Sequence, residues 1–185
     1  MASFTETTKA LPNMLITGTP GAGKSSLADA IAKKIGHKYI NVGDIVKDKK
    51  FFSNYDDEFD TYIMDEDSED QLLDYLEPMI KEGGCVVDYH SPGIFGESWF
   101  EIVLVLRTDT DVLFDRLTER GYGERKRTEN MECEIMDVVV EEARESYDPE
   151  MVHEVPSNSL EELEQNVVRM DAWLQAWKAN NSSSA

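Results

Sequence analysis

Segment 18–25 constrains the fold of this chain more than any other, because its residues match the pattern G-x-x-x-x-G-K-S at every position. An apolar stretch at 13–17, typical of a buried strand, comes directly before it, and residues 25–35 after it have the apolar spacing of a helix. A glycine-rich loop between a strand and a helix presents backbone N–H groups and a partial positive charge to an anion. The sequence therefore predicts a P-loop that binds the phosphates of ATP or GTP.

The side chains of this loop predict how the phosphates are held. Gly21 and Gly23 let the backbone turn so that several N–H groups point inward. Lys24 is predicted to reach the β- and γ-phosphates, and the Ser25 hydroxyl to ligate the Mg²⁺ that bridges them. Ser26 is predicted to add a hydrogen bond to the α-phosphate. The loop thus implies Mg²⁺ as cofactor and ATP as phosphoryl donor.

Strand and helix patterns alternate along the chain, which predicts an α/β fold with a parallel five-stranded sheet flanked by helices. Strands are predicted at 13–17, 38–42, 85–88, 102–106 and 152–155. Helices are predicted at 25–35, 43–50, 68–81, 110–120 and 128–147, and from Ser159 to the inner-stripe residue Trp177. Ser68 and Ser159 each begin a capping-box pattern, Pro78 is expected to kink or divide its helix, and 121–127 is expected to be a polar loop.

Asp88 lies at the end of a predicted buried strand, where a P-loop fold holds the water shell of Mg²⁺ with a carboxylate. The alternative is that Asp88 only caps the strand end. His90 follows two residues later, where an imidazole could position a water or an acceptor. A hydrogen-bonded structural role for His90 is an equal alternative.

The charge distribution favours a nucleotide site and argues against other ligands. With 38 acidic and 18 basic residues the formal net charge is −20, which repels nucleic acid and anionic membranes and attracts basic proteins. Nevertheless, Arg116, Arg120, Arg125, Lys126 and Arg127 fall within twelve residues. A kinase needs such cations around the transferred phosphoryl group, although cations at a helix C-terminus also interact favourably with its dipole.

Several motifs resemble the adenylate kinase isoenzyme 6 family in order and spacing, from about Pro12 to Trp177. They are Gly18 to Ser25, Ile40-Asn41-Val42-Gly43-Asp44, Val87-Asp88-Tyr89-His90, Leu104-Val105-Leu106-Arg107-Thr108-Asp109-Thr110, Glu119-Arg120-Gly121-Tyr122, Cys133-Glu134-Ile135 and Pro156-Ser157-Asn158. The resemblance implies an adenylate-kinase-like core at 12–40, 65–118 and 130–178. It also implies a nucleoside-monophosphate (NMP) lobe at 41–64, a short lid at 119–129 and flexible termini at 1–11 and 179–185.

The resemblance implies phosphoryl transfer from ATP to AMP and to other NMPs and dNMPs, together with ATPase activity. It further implies maturation of the small ribosomal subunit through the basic ribosomal protein uS11 and pre-40S particles, in the nucleus and cytoplasm. The catalytic residues would be Lys24, Asp88, His90 and Arg120. ATP would contact Gly21, Gly23, Lys24, Ser25, Ser26, Arg116, Arg120, Asn158 and Ser159, and the NMP would contact Gly43, Asp44 and Lys47. Ser25 and Asp88 would bind Mg²⁺, Asp88 through water.

Two departures weaken the expected acceptor site. Ordinary adenylate kinases have an arginine at the position of Lys47 and another at the position of Pro92, and a lysine cannot make the bidentate phosphate contact. The acidic stretch 56–67 lies in or beside the acceptor lobe. Three interpretations follow: an NMP kinase, an ATP-hydrolysing assembly factor acting on uS11 with incidental kinase activity, and a small-molecule kinase of the shikimate type.

Overall fold

The computed structural model describes residues 10–59 and 61–182. The expectations about residues 1–9 and 183–185 lie outside the described residues. Residues 179–182, expected to be part of a flexible tail, continue the last helix instead.

A five-stranded parallel sheet forms the centre of the molecule, as the strand pattern predicts. Its strands are β1 (Met14–Gly18), β2 (Lys38–Asn41), β5 (Cys85–Asp88), β6 (Ile102–Arg107) and β7 (Val152–Pro156), in the order β2-β5-β1-β6-β7. Two short strands, β3 (Asn54–Asp56) and β4 (Thr61–Ile63), form a separate antiparallel hairpin. The hairpin overlaps the acidic stretch 56–67, where the sequence pattern did not predict strands.

Helices cover both faces of the sheet. They are α1 (Lys24–Ile35), α2 (Val42–Lys49), α3 (Glu66–Glu82), α4 (Thr110–Glu119), α5 (Glu124–Ile135), α6 (Val138–Ser146) and α7 (Leu160–Ser182). Because side chains alternate along a strand, Met14 and Ile16 pack against α1 and α7, whereas Leu15 packs in the layer formed with α2, α3 and α6. Both faces of the sheet are therefore apolar, as is usual for parallel sheets.

The strand order places the predicted site at one edge of the sheet. In parallel strands the carboxyl ends meet at the same edge, and ligands of open α/β sheets bind there. Asp88 of β5 is in register with Ile16 of β1, two residues before the loop begins at Gly18. The loop and the carboxylate are thus neighbours although about 70 residues separate them in the chain.

Helix α3 begins earlier than predicted and is not divided. Its N-cap is Asp65, whose side chain accepts hydrogen bonds from the backbone N–H and the hydroxyl of Ser68. The capping box predicted to start at Ser68 is therefore wrong, because a carboxylate three residues earlier takes that role. The helix also continues through Pro78, since the buried Leu76 and Ile80 hold it against the core on either side.

The predicted polar loop 121–127 and long helix 128–147 are also wrong. Only residues 120–123 separate α4 from α5, and the long helix is divided at Asp137, which has a left-handed φ of 56°. Arg107 forms ion pairs with Asp137 and with Glu134, one turn earlier. A distant arginine therefore holds the chain at this break, and local helix propensity could not indicate it.

Helix α7 largely follows the prediction. Its N-cap Ser159 accepts the N–H of Glu162 at 3.2 Å, as a capping box requires, but the Glu162 carboxylate accepts from Asn158 rather than from Ser159. Met170 is buried on the inner face of the helix, whereas Leu160 is 71% exposed. Leu160 occupies the first position of the helix, at the rim of a cleft. None of the described helices is long and apolar enough to span a bilayer.

Candidate functional site

The phosphate loop packs directly against helix α4, which explains its glycine at position 21. Gly21 has a φ of +95°, and a Cβ atom there would lie 2.8 Å from Leu117 Cδ2 and 2.9 Å from Leu113 Cδ1. Gly23, at φ +96°, is the residue from which α1 begins. Both positions combine a left-handed backbone with limited space, so the loop conformation requires glycine there.

Two side chains that were not predicted as functional brace the loop from outside. The Ser157 hydroxyl donates to the carbonyl of Ala22 at 2.5 Å. The Thr19 hydroxyl donates to Glu134 at 2.5 Å. Ser157 and Glu134 both belong to motifs that carry the resemblance, but neither residue was given a role there. The loop is therefore held by the segment after β7 and by α5, as well as by its own turn.

Lys24 lies over the loop with its ammonium group directed at backbone oxygens. Its Nζ donates to the carbonyls of Gly18 at 2.8 Å and Thr19 at 3.2 Å. Burial lowers the pKa of Lys24 to about 8, and the charge of Asp88 partly opposes this effect. A buried cation whose hydrogen bonds go to backbone carbonyls is suited to an anionic ligand such as a phosphate.

Ser25 and Asp88 meet at the base of the site. The Ser25 hydroxyl donates to Asp88 Oδ2 at 2.6 Å, and Tyr39 and Asn41 donate to the same oxygen at 3.0 and 3.3 Å. Burial and the charge of Asp88 raise the pKa of Tyr39 to about 12, so its hydroxyl keeps its proton at neutral pH. Neither Tyr39 nor Asn41 was predicted as a site residue, although both lie in β2 close to the Gly43-Asp44 pair.

The Ser25–Asp88 pair fits a magnesium ion that arrives with a nucleotide. Hydroxyl and carboxylate oxygens are hard ligands, and Mg²⁺ in such sites uses one or two protein groups together with phosphates and water. Among the described residues, no three His, Cys, Asp or Glu side chains are grouped to hold a metal. The donor set therefore suits a metal completed by phosphate oxygens, rather than a site built from the protein alone.

A first cleft, called here the donor cleft, has a volume of about 410 Å³ and lies on the α4 side of the loop. Its lining includes the predicted ATP contacts Gly21, Gly23, Ser26, Arg116, Arg120 and Ser159. Asn158 is not part of the lining, because its side chain accepts the N–H of Asp109 at 2.7 Å. Leu160 and Leu163 supply apolar surface to the same cleft, as a nucleoside site requires.

A second cleft, called here the acceptor cleft, has a volume of about 640 Å³ and lies between the hairpin, α5 and the end of β5. Its lining includes the predicted residues Lys24, Ser25, Gly43, Asp88, His90 and Arg120. Asp44 and Lys47, predicted to contact the acceptor, do not line it. Both are exposed on α2, whose opposite face buries Val42 and Val46 in the core.

The basic residues of the predicted lid serve different purposes in the structure. Arg125 pairs with Glu58 and stacks on Phe59 of the hairpin, with 4.7 Å between its guanidinium and the ring centre. Arg127 lies 4.6 Å from the ring centre of Phe114, and neither arginine lines a cleft. Lys126 lines the acceptor cleft. All three α5 cations therefore contact an aromatic ring, since Lys126 Nζ lies 4.2 Å from the ring centre of Tyr122, and Lys126 in addition lines the cleft.

His90 lies in the acceptor cleft as a neutral imidazole. Burial lowers its pKa to about 4, and the positive charge of Lys24 acts in the same direction. The side chain nevertheless keeps a large exposed surface on the cleft side, while its ring packs against Tyr89 at 4.5 Å between centres. A neutral imidazole can accept a hydrogen bond from a water or a hydroxyl.

Cys133 also lies in the acceptor cleft, and it is only partly buried. Burial raises the pKa of its thiol, so the group is mostly protonated at neutral pH. Cys85 is buried in the core.

Comparisons with known proteins agree with this architecture. A family model described as an AAA domain matches residues 14–137. The adenylate kinase isoenzyme 6 homolog of Schizosaccharomyces pombe is 46% identical over 171 residues, which cover 92% of this chain and 96% of that protein. The homolog of the same name in Dictyostelium discoideum has the same identity and coverage. Shikimate kinase from Bacteroides thetaiotaomicron superposes with a TM-score of 0.61 at 17% identity, over 90% of this chain and 99% of that chain. This last likeness shows a shared fold alone.

Proposed function

This chain belongs to the adenylate kinase isoenzyme 6 family, and from that premise we propose that it transfers the γ-phosphoryl group of ATP to AMP. Other nucleoside and deoxynucleoside monophosphates are further acceptors. One observation carries the proposal: two clefts meet at the phosphate loop, and Arg120 lines both of them. A side chain shared by two nucleotide-sized clefts is placed to stabilise a phosphoryl group passing from one to the other.

The residues around this meeting point have complementary tasks. The loop and Ser26 bind the phosphates of ATP, while Lys24 and Arg120 neutralise the charge on the transferred group. Ser25 and Asp88 would hold the magnesium ion, Asp88 through water, and the bound ion would neutralise charge on the phosphates. Catalysis then depends mainly on positioning, since phosphoryl transfer needs little covalent chemistry from the protein.

We also propose ATP hydrolysis as a second activity, because the acceptor cleft is poor in cations. Among the described residues three cations line it, Lys24, Arg120 and Lys126, and Lys24 also serves the phosphate loop. In the described part of the chain the carboxylates of Asp88, Glu129 and Glu142 line the same cleft and oppose the binding of a second phosphate group. A neutral His90 could orient a water there, so water competes with AMP for the phosphoryl group.

A role in maturation of the small ribosomal subunit through uS11 and pre-40S particles, in the nucleus and cytoplasm, is part of the same proposal. The net charge of −20 and the exposed acidic residues between 56 and 70 support a basic protein partner. A pull-down of purified uS11 over a salt series tests this. Electrostatic binding weakens as salt rises, so absence of binding or insensitivity to salt contradicts the proposal.

The decisive experiment measures ADP formation from ATP plus AMP, and phosphate release from ATP alone, in Lys24→Ala and Arg120→Ala. Each substitution removes charged contacts worth about 1.5–3 kcal/mol each. Because about 1.4 kcal/mol corresponds to tenfold in rate, kcat/KM for ADP formation is expected to fall at least about tenfold.

The matched control is Lys33→Ala, whose ammonium is exposed and pairs with Asp29 one turn away on α1. This variant is expected to retain full activity. Unchanged ADP formation in either site variant would remove the basis of the assignment. Absence of phosphate release by the wild-type protein, with its ADP formation intact, would refute the hydrolytic activity alone.

A further inference from the structure

Three hydrogen-bond donors converge on a single oxygen of Asp88. They are the Ser25 hydroxyl at 2.6 Å, the Tyr39 hydroxyl at 3.0 Å and the Asn41 amide at 3.3 Å. All three contact Oδ2, and within the described part of the chain no hydrogen bond is made to Oδ1. Asp88 lines the acceptor cleft. The donors therefore determine which carboxylate oxygen remains for a ligand.

Tyr39 and Asn41 reach Asp88 because β2 is the direct neighbour of β5. Asn41 is in register with Asp88, and Tyr39 is in register with Val86. The two side chains are also joined to each other, with 3.2 Å between Asn41 Nδ2 and the Tyr39 hydroxyl. A carboxylate held by three mutually connected donors loses much of its rotational freedom.

The orientation of Asn41 is set from the opposite side. Its Oδ1 accepts the backbone N–H of Asp44 at 3.0 Å and so caps the N-terminus of α2. Because the carbonyl oxygen caps α2, the amide nitrogen must face Asp88. Asn41 also lines the acceptor cleft, as does the adjacent Gly43. The first helix of the acceptor side is therefore linked to the Ser25–Asp88 pair through one side chain.

We propose that Tyr39 and Asn41 are positioning residues, which hold Asp88 so that Oδ1 faces the hydrated metal of the bound nucleotide. Asn41 additionally connects this geometry to α2. The proposal rests on the proposed function, since it takes Ser25 and Asp88 as the metal-binding pair. Groups that hydrogen-bond a metal-binding carboxylate orient it, and their loss typically weakens metal affinity about 10–100-fold.

Two substitutions remove the donors with little other change. Tyr39→Phe keeps the ring and loses the hydroxyl. Asn41→Ser keeps an N-cap for α2, because serine is as good a cap as asparagine, but is too short to reach Asp88. Tyr147→Phe is the matched control, since it removes a buried tyrosine hydroxyl that donates to the carbonyl of Pro92 at 2.8 Å.

In the test, the protein is mixed with a non-hydrolysable ATP analogue at a slightly lower concentration than the protein. Mn²⁺, used in place of Mg²⁺, is then titrated into the mixture, and the concentration of free Mn²⁺ is measured from its EPR signal. We expect the Mn²⁺ dissociation constant to rise about tenfold or more in Tyr39→Phe and in Asn41→Ser, with no change in Tyr147→Phe. The affinity for the analogue in EDTA, measured by calorimetry, should change less than about twofold. Circular dichroism verifies folding of each variant.

Equal Mn²⁺ affinity in the wild type and in both variants overturns the proposal. The proposal is also overturned if the variants lose affinity for the analogue equally with and without metal, because that result indicates structural damage. Failure of the proposed function has a different signature. In that case the wild-type protein does not bind the analogue in EDTA, or holds Mn²⁺ no more tightly than the free analogue does.

Discussion

Glu134→Ala should be among the most destabilising single substitutions in this protein, because this carboxylate joins three separate segments. The carboxylate side chain is 8% exposed and accepts hydrogen bonds from Arg107 Nε at 3.0 Å and the N–H of Thr108 at 3.0 Å. Its second oxygen accepts the Thr19 hydroxyl of the phosphate loop. Alanine would leave three donors without their acceptor, including an arginine.

The expected cost follows from the burial of the ion pair. Removing one partner of a buried pair costs about 3–5 kcal/mol, because the other charge is left uncompensated. Arg107 is 30% exposed and keeps Asp137 and Glu154 as partners. The expected loss of free energy of unfolding therefore lies at the lower end of this range, at about 3 kcal/mol. Glu154→Ala is the matched control, since this carboxylate also binds Arg107 but is 35% exposed, and should cost at most about 1 kcal/mol.

Urea denaturation followed by circular dichroism measures both variants. With a slope of about 1–3 kcal/mol per molar urea, a loss of about 3 kcal/mol lowers the midpoint by about 1 M or more. Nucleotide affinity should also fall in Glu134→Ala, because Thr19 loses its anchor, and should be unaffected in Glu154→Ala. Equal urea midpoints for the two variants would refute the reasoning that burial decides how much the Arg107–Glu134 ion pair contributes to the free energy of unfolding.

Two further predictions concern the loop and acid stability. Gly21→Ala should weaken ATP binding in calorimetry, since its Cβ would lie 2.8 Å from Leu117, whereas Gly121→Ala, with a similar φ but no atom within 4 Å, should leave binding intact. Burial lowers the pKa of His37, so the unfolded chain binds more protons than the folded protein below pH about 6.5. The free energy of unfolding should therefore decrease as the pH falls below about 6.5. In His37→Gln the urea midpoint should fall less over the same pH range. Identical pH dependence of the midpoints in wild type and variant would contradict this assignment to His37.

Much of the fold and part of the site could be predicted from the sequence, because their signals are local. The phosphate loop is a contiguous motif, and the buried strands are short apolar runs with clear ends. Asp88 could be predicted as a site residue because it ends such a strand. The structure brings Lys24, Ser25, Asp88, His90 and Arg120 to one cleft. Their chemical roles remain predictions for the experiments above.

Local patterns were insufficient where a distant side chain decides the backbone. The continuous helix predicted at 128–147 has good helical periodicity, but Arg107 pairs with Asp137 and holds a break there. Lys47, which the resemblance implied as an acceptor contact, is exposed on α2 and does not line the acceptor cleft, because the opposite face of that helix packs in the core. In each case the deciding interaction is between segments that no single window contains.

The sequence by itself determined the phosphate loop, the alternation of strands and helices, and the carboxylate at the end of β5. The tertiary structure decided which residues surround them: Tyr39 and Asn41 beside Asp88, and Glu134 beneath Thr19, 115 positions away in the chain. The reason is physical. A loop motif and an apolar run are specified by neighbouring residues, whereas the partners of a buried carboxylate depend on strand order and helix packing, which bring together segments far apart in the chain.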